Sequence, residues 1–221
     1  MSFPRLATNI SIRVKVDGLL NVECIRQPIF FSMCAMLSYR KAVSGDIPFI
    51  FQCYNEKTVA ERASLIFENN YTEFQRNYSD ILRDPAFYVR ILKLKDESVG
   101  FIQFRETDKD TKEAEGCIWL GRKRDLGYGL NAFYLLLHIS FEDLRYERLW
   151  GWVRENNEPM NRICQRFGLR IIDSCERPAW KKDSPGHFEK IFYYEITSEE
   201  YGFKKGIFAR YGMINRKIIG D

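Results

Sequence analysis

The segment RDLGYGL, residues 124–130, combines two glycines with positive charge in a pattern that suits an anionic ligand. Gly127 and Gly129 follow Arg124 and two further basic residues, and an apolar run typical of a helix starts directly behind them. The first backbone N–H groups of a helix have no partner within it and carry the positive end of the helix dipole. Glycines there let phosphates approach the backbone, because no Cβ stands in the way. The segment therefore predicts a phosphate-binding turn.

A glycine pair alone does not identify the ligand, and two nucleotide-binding motifs offer a comparison. The Rossmann fingerprint needs a third small residue, and Ala132 stands at that position. That unit belongs to a parallel sheet whose second strand usually ends in an acidic residue, whereas here RLWGWV ends in Arg154-Glu155 and hairpins precede the glycines. A P-loop is excluded because no Gly-Lys-Ser/Thr follows.

The elements around the glycines alternate between strand and helix patterns. Runs of β-branched and aromatic residues predict strands at Leu37–Lys41 and at RLWGWV, and a third strand, GCIWLG, directly before the glycines. FYVRILKL and ESVGFIQF, which are joined at residues 95–97, predict a hairpin. LRIIDSCERPAW and HFEKIFYYEIT predict a final strand pair around Pro185-Gly186. The charged segment TDKDTKEAE between the hairpin and GCIWLG reads as a connection.

Helix signals fall between these strands. Ser44 or Asp46 would cap a helix with Pro48 in its first turn, and the polar stretch 58–84 predicts one or two helices that end before Pro85. A helix from Asn157 to Phe167 has an N-cap, a proline in its first turn and Gly168 as its stop. The helix behind the glycines has a buried stripe of Leu130, Phe133, Leu137, Phe141 and Leu144. The order predicts an α/β domain with mostly antiparallel strands.

Composition limits the classes of function. The chain has 221 residues, 45% of them hydrophobic, and a formal net charge of +4, which is too mild to indicate nucleic acid. Six cysteines without a Cys-x-x-Cys pair and two histidines argue against a zinc site and against a disulfide framework. No segment has the pattern of a membrane span or a secretory signal. We expect a reduced, cytoplasmic protein without metal and without a membrane or nucleic-acid partner.

Two spaced motifs resemble the GNAT N-acetyltransferases. Arg124-x-x-Gly127-x-Gly129 is similar to that family's acetyl-CoA signature, Gln/Arg-x-x-Gly-x-Gly/Ala. RLWGWVRENNEPMNRICQRFGLRII resembles the strand and helix that follow it, with Asn157 opening the helix and Gly168 ending it. SYRKAVSGDIPFIFQCYN resembles the opening strand and helix. The resemblance covers residues 36–197 and is strongest to the branch of ribosomal-protein N-terminal and nucleotide-amino-sugar acetyltransferases. It implies the GNAT fold, a mixed, mostly antiparallel central sheet flanked by helices.

This division leaves two segments outside the domain. Residues 1–35 are too few for a core of their own and are expected to form an N-terminal extension. Residues 198–221 are expected to form a basic and apolar C-terminal tail.

The resemblance implies which residues bind acetyl-CoA, the expected co-substrate. The backbone of Gly127, Tyr128, Gly129 and Leu130 would hold the pyrophosphate, with Arg124 beside it. The pantetheine arm would pair with the preceding strand at Ile118, Trp119 and Leu120. Asn157 corresponds to the family's CoA-contacting asparagine, and it also serves as an N-cap.

The resemblance also implies candidates for proton transfer. Family members often use a glutamate on or before this strand as a base acting through water, which makes Glu115, and second Glu113, the candidates. Many members have a tyrosine seven residues after the asparagine, as the acid that protonates the departing thiolate. Here Cys164 stands at that position. A thiol with a pKa near 8.5 can serve as that acid, and a cysteine on a helix can equally be a small core residue.

Four further residues have a packing role or a substrate role. His138 lies on the helix behind the glycines and is expected to be structural, and His187 is an exposed loop histidine or borders the acceptor. Trp150 and Trp152 share one face of their strand and either fill the core or line the acceptor cleft.

We therefore expect an acetyl-CoA-dependent N-acetyltransferase, monomeric or homodimeric. Its acceptor would be a protein N-terminus, an amino sugar or a small amine, and Arg177, Lys181 and Lys182 would supply the phosphate site that a sugar nucleotide needs. The alternative is a CoA-binding module without catalysis that acts through partner interactions.

Overall fold

One mixed sheet organises the described residues, which in this computed structural model are 37–57, 70–121, 128–178 and 188–210. Its strands are β1 Leu37–Lys41, β2 Phe87–Leu94, β3 Glu97–Asp108, β4 Glu113–Leu120, β5 Arg148–Arg154, β6 Arg170–Pro178 and β7 Phe188–Thr197. The helices are α1 Ile47–Asn55, α2 Tyr71–Arg83, α3 Tyr128–His138, α4 Glu158–Arg166 and α5 Ser198–Arg210. A π-helical turn, Ile139–Asp143, continues α3.

The strand order is β1-β2-β3-β4-β5-β7-β6, and every pairing is antiparallel except that of β4 with β5. A parallel pair needs a crossover connection, and α3 supplies it between these two strands. The predicted fold class, α/β with a mixed and mostly antiparallel sheet, is confirmed. The predicted hairpin is also confirmed, with Lys95-Asp96 as its turn and Lys95 at φ 56°.

Each face of the sheet buries its own hydrophobic cluster. On one face α3 packs against β3, β4, β5 and β7, and its residues Ala132–Leu137 are buried all round. On the other face α1 and α2 pack against β2, β3 and β4. The second cluster is rich in aromatic contacts, among them the stacked rings of Phe101 and Trp119, whose centroids are 4.6 Å apart. The core therefore fixes β4 from both faces.

The caps follow the predicted positions with one difference in detail. Asn157 caps α4, and Gly168 ends it at φ +67°, a left-handed conformation that favours glycine. Asp46 stands at the cap position of α1, but its carboxylate accepts from the Val43 N–H at 2.8 Å and binds Arg40 at 2.6 Å. The Arg40 guanidinium and this backbone N–H offset the effect of burial and lower the pKa of Asp46.

Strand β4 begins earlier than the sequence predicts. The charged segment read as a connection belongs largely to strands, because β3 extends to Asp108 and β4 starts at Glu113. Ion pairs along the ladders accommodate these charges: Glu115 Oε2 lies 2.8 Å from Arg105 Nη2, and Glu113 Oε1 lies 3.4 Å from Arg148 Nε. Charged residues of this segment therefore form ion pairs between strands and do not indicate a loop.

The segment expected to be a C-terminal tail begins with a helix that packs on the domain. Tyr201 of α5 is 1% exposed, and its ring lies 5.0 Å from that of Phe141. The first turn is a capping box, in which Glu200 Oε2 accepts from the Thr197 N–H and Thr197 Oγ1 accepts from the Glu200 N–H. The sequence Thr-Ser-Glu-Glu, residues 197–200, matches this capping-box pattern.

Several predictions fall on residues outside the described part of the chain. These are the N-terminal extension, the first part of the helical stretch 58–84, Arg124, Gly127, Lys181, Lys182 and His187. Among the described helices, none has the length and hydropathy to cross a membrane.

Candidate active site

A gap opens in the sheet between β4 and β5. The two strands pair only from Glu113 with Arg148 to Glu115 with Trp150, yet β4 runs on to Leu120 and β5 to Arg154. Beyond the last pair the facing edges of the two strands diverge. Backbone N–H and C=O groups that have no strand partner can take a ligand that lies along the edge.

Glycines stand on both sides of the point where the strands part. A Cβ on Gly151 would lie 2.9 Å from the carbonyl oxygen of Gly116, and a Cβ on Gly116 would lie 2.9 Å from Leu149 Cδ1. A side chain at Gly151 would press on the backbone of β4 and force the strands apart, whereas one at Gly116 would displace the end of the Leu149 side chain, so the narrow end of the gap depends chiefly on Gly151. GCIWLG and RLWGWV contain this signal, but their sequences alone do not show that the two glycines face each other.

The gap holds a cavity of about 300 Å³, near the lower end of small-molecule sites. Its wall includes side chains from both faces of the sheet, since Leu149 and Val153 face α3 while Trp150 and Trp152 face away from it. Helices α3 and α4 supply Gly129, Phe133, Pro159, Met160, Ile163 and Cys164. The wall is largely apolar, as expected of a site that takes a slender, uncharged chain.

The N-terminus of α3 lies at this cavity. Tyr128 is buried, Leu130 is partly buried against the core, and Gly129 lines the wall. A Cβ on Gly129 would make an ordinary contact, 3.5 Å from Ile163 Cδ1. Packing alone therefore tolerates alanine here, and access for a ligand is the stronger reason for glycine.

Asn157 joins the cavity wall through the cap of α4. Its Oδ1 accepts from the Met160 N–H at 3.4 Å. This bond uses the oxygen, and the side-chain amide nitrogen is a donor suited to a ligand carbonyl. The two roles foreseen for Asn157 are therefore compatible.

The three β4 residues expected to contact the cofactor all line the cavity. Ile118 and Leu120 pack toward α3, whereas Trp119 is buried against Phe101 on the other face. Their side chains anchor the strand on both faces, which holds the backbone edge at a fixed position in the gap.

The two candidate bases lie at the closed end of the gap. Glu115 precedes Gly116 of the cavity wall and pairs with Arg105, while Glu113 is one further position back on the same face and pairs with Arg148. The described residues of the wall include no Asp, Glu or His. Of the two, Glu115 is the nearer.

Cys164 lies in the wall, 2% exposed, and burial raises the pKa of its thiol to about 12. Such a thiol is a weaker acid than an ordinary thiol, so transfer of its proton to a departing thiolate is unfavourable. Of the two roles considered for Cys164, burial therefore favours packing over acid catalysis.

Replacing Cys164 with alanine tests this reading. For the acetyl transfer that the resemblance implies, we expect Cys164→Ala to keep kcat within about fivefold of the parent, because loss of a general acid typically costs about 10²–10⁴ in rate. Cys53→Ala is the matched control, since Cys53 is also 2% exposed but lies on α1 and is not a wall residue. A hundredfold loss of kcat in Cys164→Ala, without such a loss in Cys53→Ala, would show that Cys164 acts as the general acid.

A buried hydrogen-bond network below the cavity was not foreseen. The Tyr194 hydroxyl donates to Asn161 Oδ1 at 2.9 Å, and Asn161 Nδ2 donates to the carbonyl oxygens of Arg154 and Glu155. It ties α4 to the end of β5 and to an interior residue of β7. No local signal in the sequence indicates it, because its members come from three separate elements.

The remaining candidates divide between the wall and the core. Trp150 and Trp152 line the cavity, as one of their two predicted roles requires. His138 is half-buried at the end of α3, its ring lies 6.0 Å from that of Tyr134, and it is not a wall residue. Burial lowers the pKa of His138, which agrees with a structural role.

Comparisons with known proteins were made for the sequence and for the fold. The family model described as acetyltransferase (GNAT) domain matches residues 37–170. A spermidine N-acetyltransferase from Vibrio cholerae, in complex with CoA and spermine, has a TM-score of 0.67 at 16% identity, with 75% of this chain and 98% of that chain covered. The Vibrio cholerae spermidine/spermine N-acetyltransferase SpeG in complex with manganese ions has a TM-score of 0.64 at 17% identity, with 78% and 99% covered. A search of curated proteins found no significant match.

Proposed function

Since the chain belongs to the GNAT acetyltransferase family, we propose that it moves an acetyl group from acetyl-CoA to a primary amine by direct transfer in a ternary complex. The gap between β4 and β5 carries this proposal. Its apolar cavity begins at the N-terminus of α3, where an anion is favoured, and leads to the point where the strands part.

The residues around the gap fit acetyl-CoA. Beyond Glu115 the edge of β4 can pair with an extended amide chain, as an added strand would. The Asn157 amide nitrogen can donate to a carbonyl of that chain. The first N–H groups of α3, at Tyr128, Gly129 and Leu130, can bind phosphate, and the family signature adds Arg124 and Gly127.

Bound acetyl-CoA would supply an acetyl group activated as a thioester. The chain's own contribution is to orient this group, to exclude water with the apolar wall and to donate a backbone N–H from β4 to the thioester oxygen. The amine must reach the carbonyl in its neutral form, and we assign removal of its proton to Glu115 through a water molecule. Attack of the amine forms the N–C bond and breaks the C–S bond of the thioester. The departing CoA thiolate takes up the proton that the nitrogen loses after attack, directly or through water.

Glu115→Gln tests that assignment. We expect kcat/KM to fall about a hundredfold at neutral pH, because glutamine cannot accept the proton. Glu113→Gln is the matched control on the same strand, and it should stay within about fivefold, as loss of a surface ion pair allows. If both variants lowered kcat/KM by the same factor, Glu115 would not be the base.

The proposed function itself is tested by acetyl-CoA turnover. Purified protein is incubated with acetyl-CoA and a panel of peptides, amino sugars and small amines, including spermidine, and release of free CoA thiol is measured. Turnover that depends on an amine supports the proposal. Calorimetric binding of acetyl-CoA without turnover on any amine would instead support a CoA-binding module without catalysis.

A further inference from the structure

An aromatic surface borders the gap on the face of the sheet away from α3. Trp150 and Trp152 of β5 belong to the cavity wall, and Tyr193 of β7 lies opposite Trp152 in the ladder. The rings of Trp150 and Tyr193 are 6.3 Å apart, and all three side chains are half-buried. Half-buried aromatic rings beside a cavity are suited to stacking against the flat or apolar part of a ligand.

One arginine lies over this surface. The Arg177 Cζ is 5.9 Å from the centre of the Trp152 ring and 6.0 Å from that of Tyr193, and its Nη2 donates to the Tyr193 hydroxyl at 2.7 Å. In the ladder Arg177 stands opposite Glu189. No carboxylate of the described residues forms an ion pair with it, because Glu189 pairs with Arg154 instead. The guanidinium is exposed and already oriented by the rings.

A second arginine adds to the positive charge. Arg154 is 3% exposed and belongs to the cavity wall. It forms an ion pair with Glu189, and no other cation of the described residues pairs with that carboxylate. Its Nε has no hydrogen-bond partner among the described residues. A buried N–H of a cation without an acceptor is costly, which makes it a position for a ligand oxygen.

Two other carboxylates on this face pair with other arginines, whereas Asp173, opposite Tyr193 in the ladder, accepts from the Ser174 N–H and forms no ion pair among the described residues. Glu195 pairs with Arg148 and Arg170, and Glu115 pairs with Arg105. Among the described residues Glu189 is the one ion-pair partner of Arg154, and Arg177 has none, so the Arg177 charge beside Trp152 is not offset by an ion pair.

We propose that the acceptor is a small primary amine that also carries a carboxylate or a phosphate, which Arg177 binds while the body of the acceptor stacks on Trp150 and Trp152. The proposal rests on the function proposed above. The planar guanidinium of arginine matches both anions with two parallel hydrogen bonds. A polyamine, which carries only positive charge, would be repelled by the same two arginines. Because Arg177 adjoins the wall residue Trp152, an acceptor of modest size would place its anion there and its amine in the gap.

Matched acceptor pairs test this selectivity. Tryptophan and tryptamine differ by a carboxylate, and glucosamine 6-phosphate and glucosamine differ by a phosphate; spermidine represents the polyamines. We expect kcat/KM with acetyl-CoA to be about tenfold or more higher for the anionic member of at least one pair, the value of a charge-assisted hydrogen bond at an exposed site. The pair with the larger ratio identifies the anion as carboxylate or phosphate.

Arg177→Gln should reduce that ratio to about one, through a loss of kcat/KM with the anionic member of the pair. Arg170→Gln is the matched control on β6, because Arg170 is bound to Glu195 and Glu200, and it should keep the ratio. Preference for spermidine over all anionic amines, or a ratio that survives in Arg177→Gln, would overturn the proposal.

Binding separates this proposal from the proposed function. Calorimetry measures the affinity of each amine for the protein saturated with CoA, whether or not turnover occurs. Anion-dependent binding that is lost in Arg177→Gln, with no turnover of any amine, would reject the function and keep this inference. Turnover without anion preference would reject this inference and keep the proposed function. If no amine is bound or turned over, the inference and the proposed function are both rejected.

Discussion

Gly129→Glu is expected to abolish acetyl-CoA binding while the protein stays folded. The residue lines the cavity at the first turn of α3, where the unpaired N–H groups and the helix dipole favour an anion. A glutamate there would occupy the position of the phosphates and repel them, and we expect affinity to fall by more than about a hundredfold. Isothermal titration calorimetry with acetyl-CoA measures the loss, and thermal unfolding verifies the fold.

Gly129→Ala is the control for this prediction. Its Cβ would make only an ordinary contact with Ile163, so the packing accepts it. Alanine in a helix is more favourable than glycine by about 0.5–1 kcal/mol, and we expect a slightly higher melting temperature. The family signature allows alanine at this position, so affinity should change little. Wild-type affinity in Gly129→Glu would show that phosphates do not bind at this turn.

Tyr201→Ala is expected to lower the free energy of unfolding by about 3–5 kcal/mol, as truncation of a fully buried aromatic residue does. Tyr201 anchors α5 against the core through Phe141, and burial raises the pKa of its hydroxyl above the ordinary value. For a domain of this size the melting temperature should fall by about 10 °C. Urea denaturation followed by circular dichroism measures the change.

Phe203→Ala provides the comparison on the same helix. Phe203 is 86% exposed, so its removal should change the free energy of unfolding by less than about 0.5 kcal/mol. If Tyr201→Ala were as mild as Phe203→Ala, α5 would contribute nothing to the core, and the domain would end with β7 as the sequence suggested.

Local signals account for the parts of the fold that the sequence predicted. The hairpin of β2 and β3 follows from period-two patterns around a short turn, and α4 follows from Asn157, Pro159 and Gly168. The start of β4 was misjudged because its charges form ion pairs with other strands, which composition does not reveal. Helix α5 was missed because Tyr201, the buried residue among those of α5 whose side chains the structure describes, lies among charged neighbours.

The candidate site was predicted by resemblance more than by pattern. Glycine spacing indicated an anion near Gly129, but the gap depends on the register of β4 against β5, which only the fold establishes. The same holds for Arg177, because its approach to Trp152 and Tyr193 depends on the pairings of three strands. Contacts between residues far apart in sequence leave no mark in local composition.

The single parallel pairing has a mechanical consequence for the molecule. Strands β1–β4 and β5–β7 form two antiparallel halves, and in the sheet three ladder pairs, from Glu113–Arg148 to Glu115–Trp150, join them. A ligand that pairs with the strand edges beyond these three pairs would add contacts between the two halves. Because the edges exist only in the folded protein, the ligand would bind the folded state and not the unfolded one. It would raise the free energy of unfolding by about 2.7 kcal/mol at a hundred times its Kd. Under the proposed function acetyl-CoA is that ligand, and its binding should therefore stabilise the pairing of the two halves of the sheet.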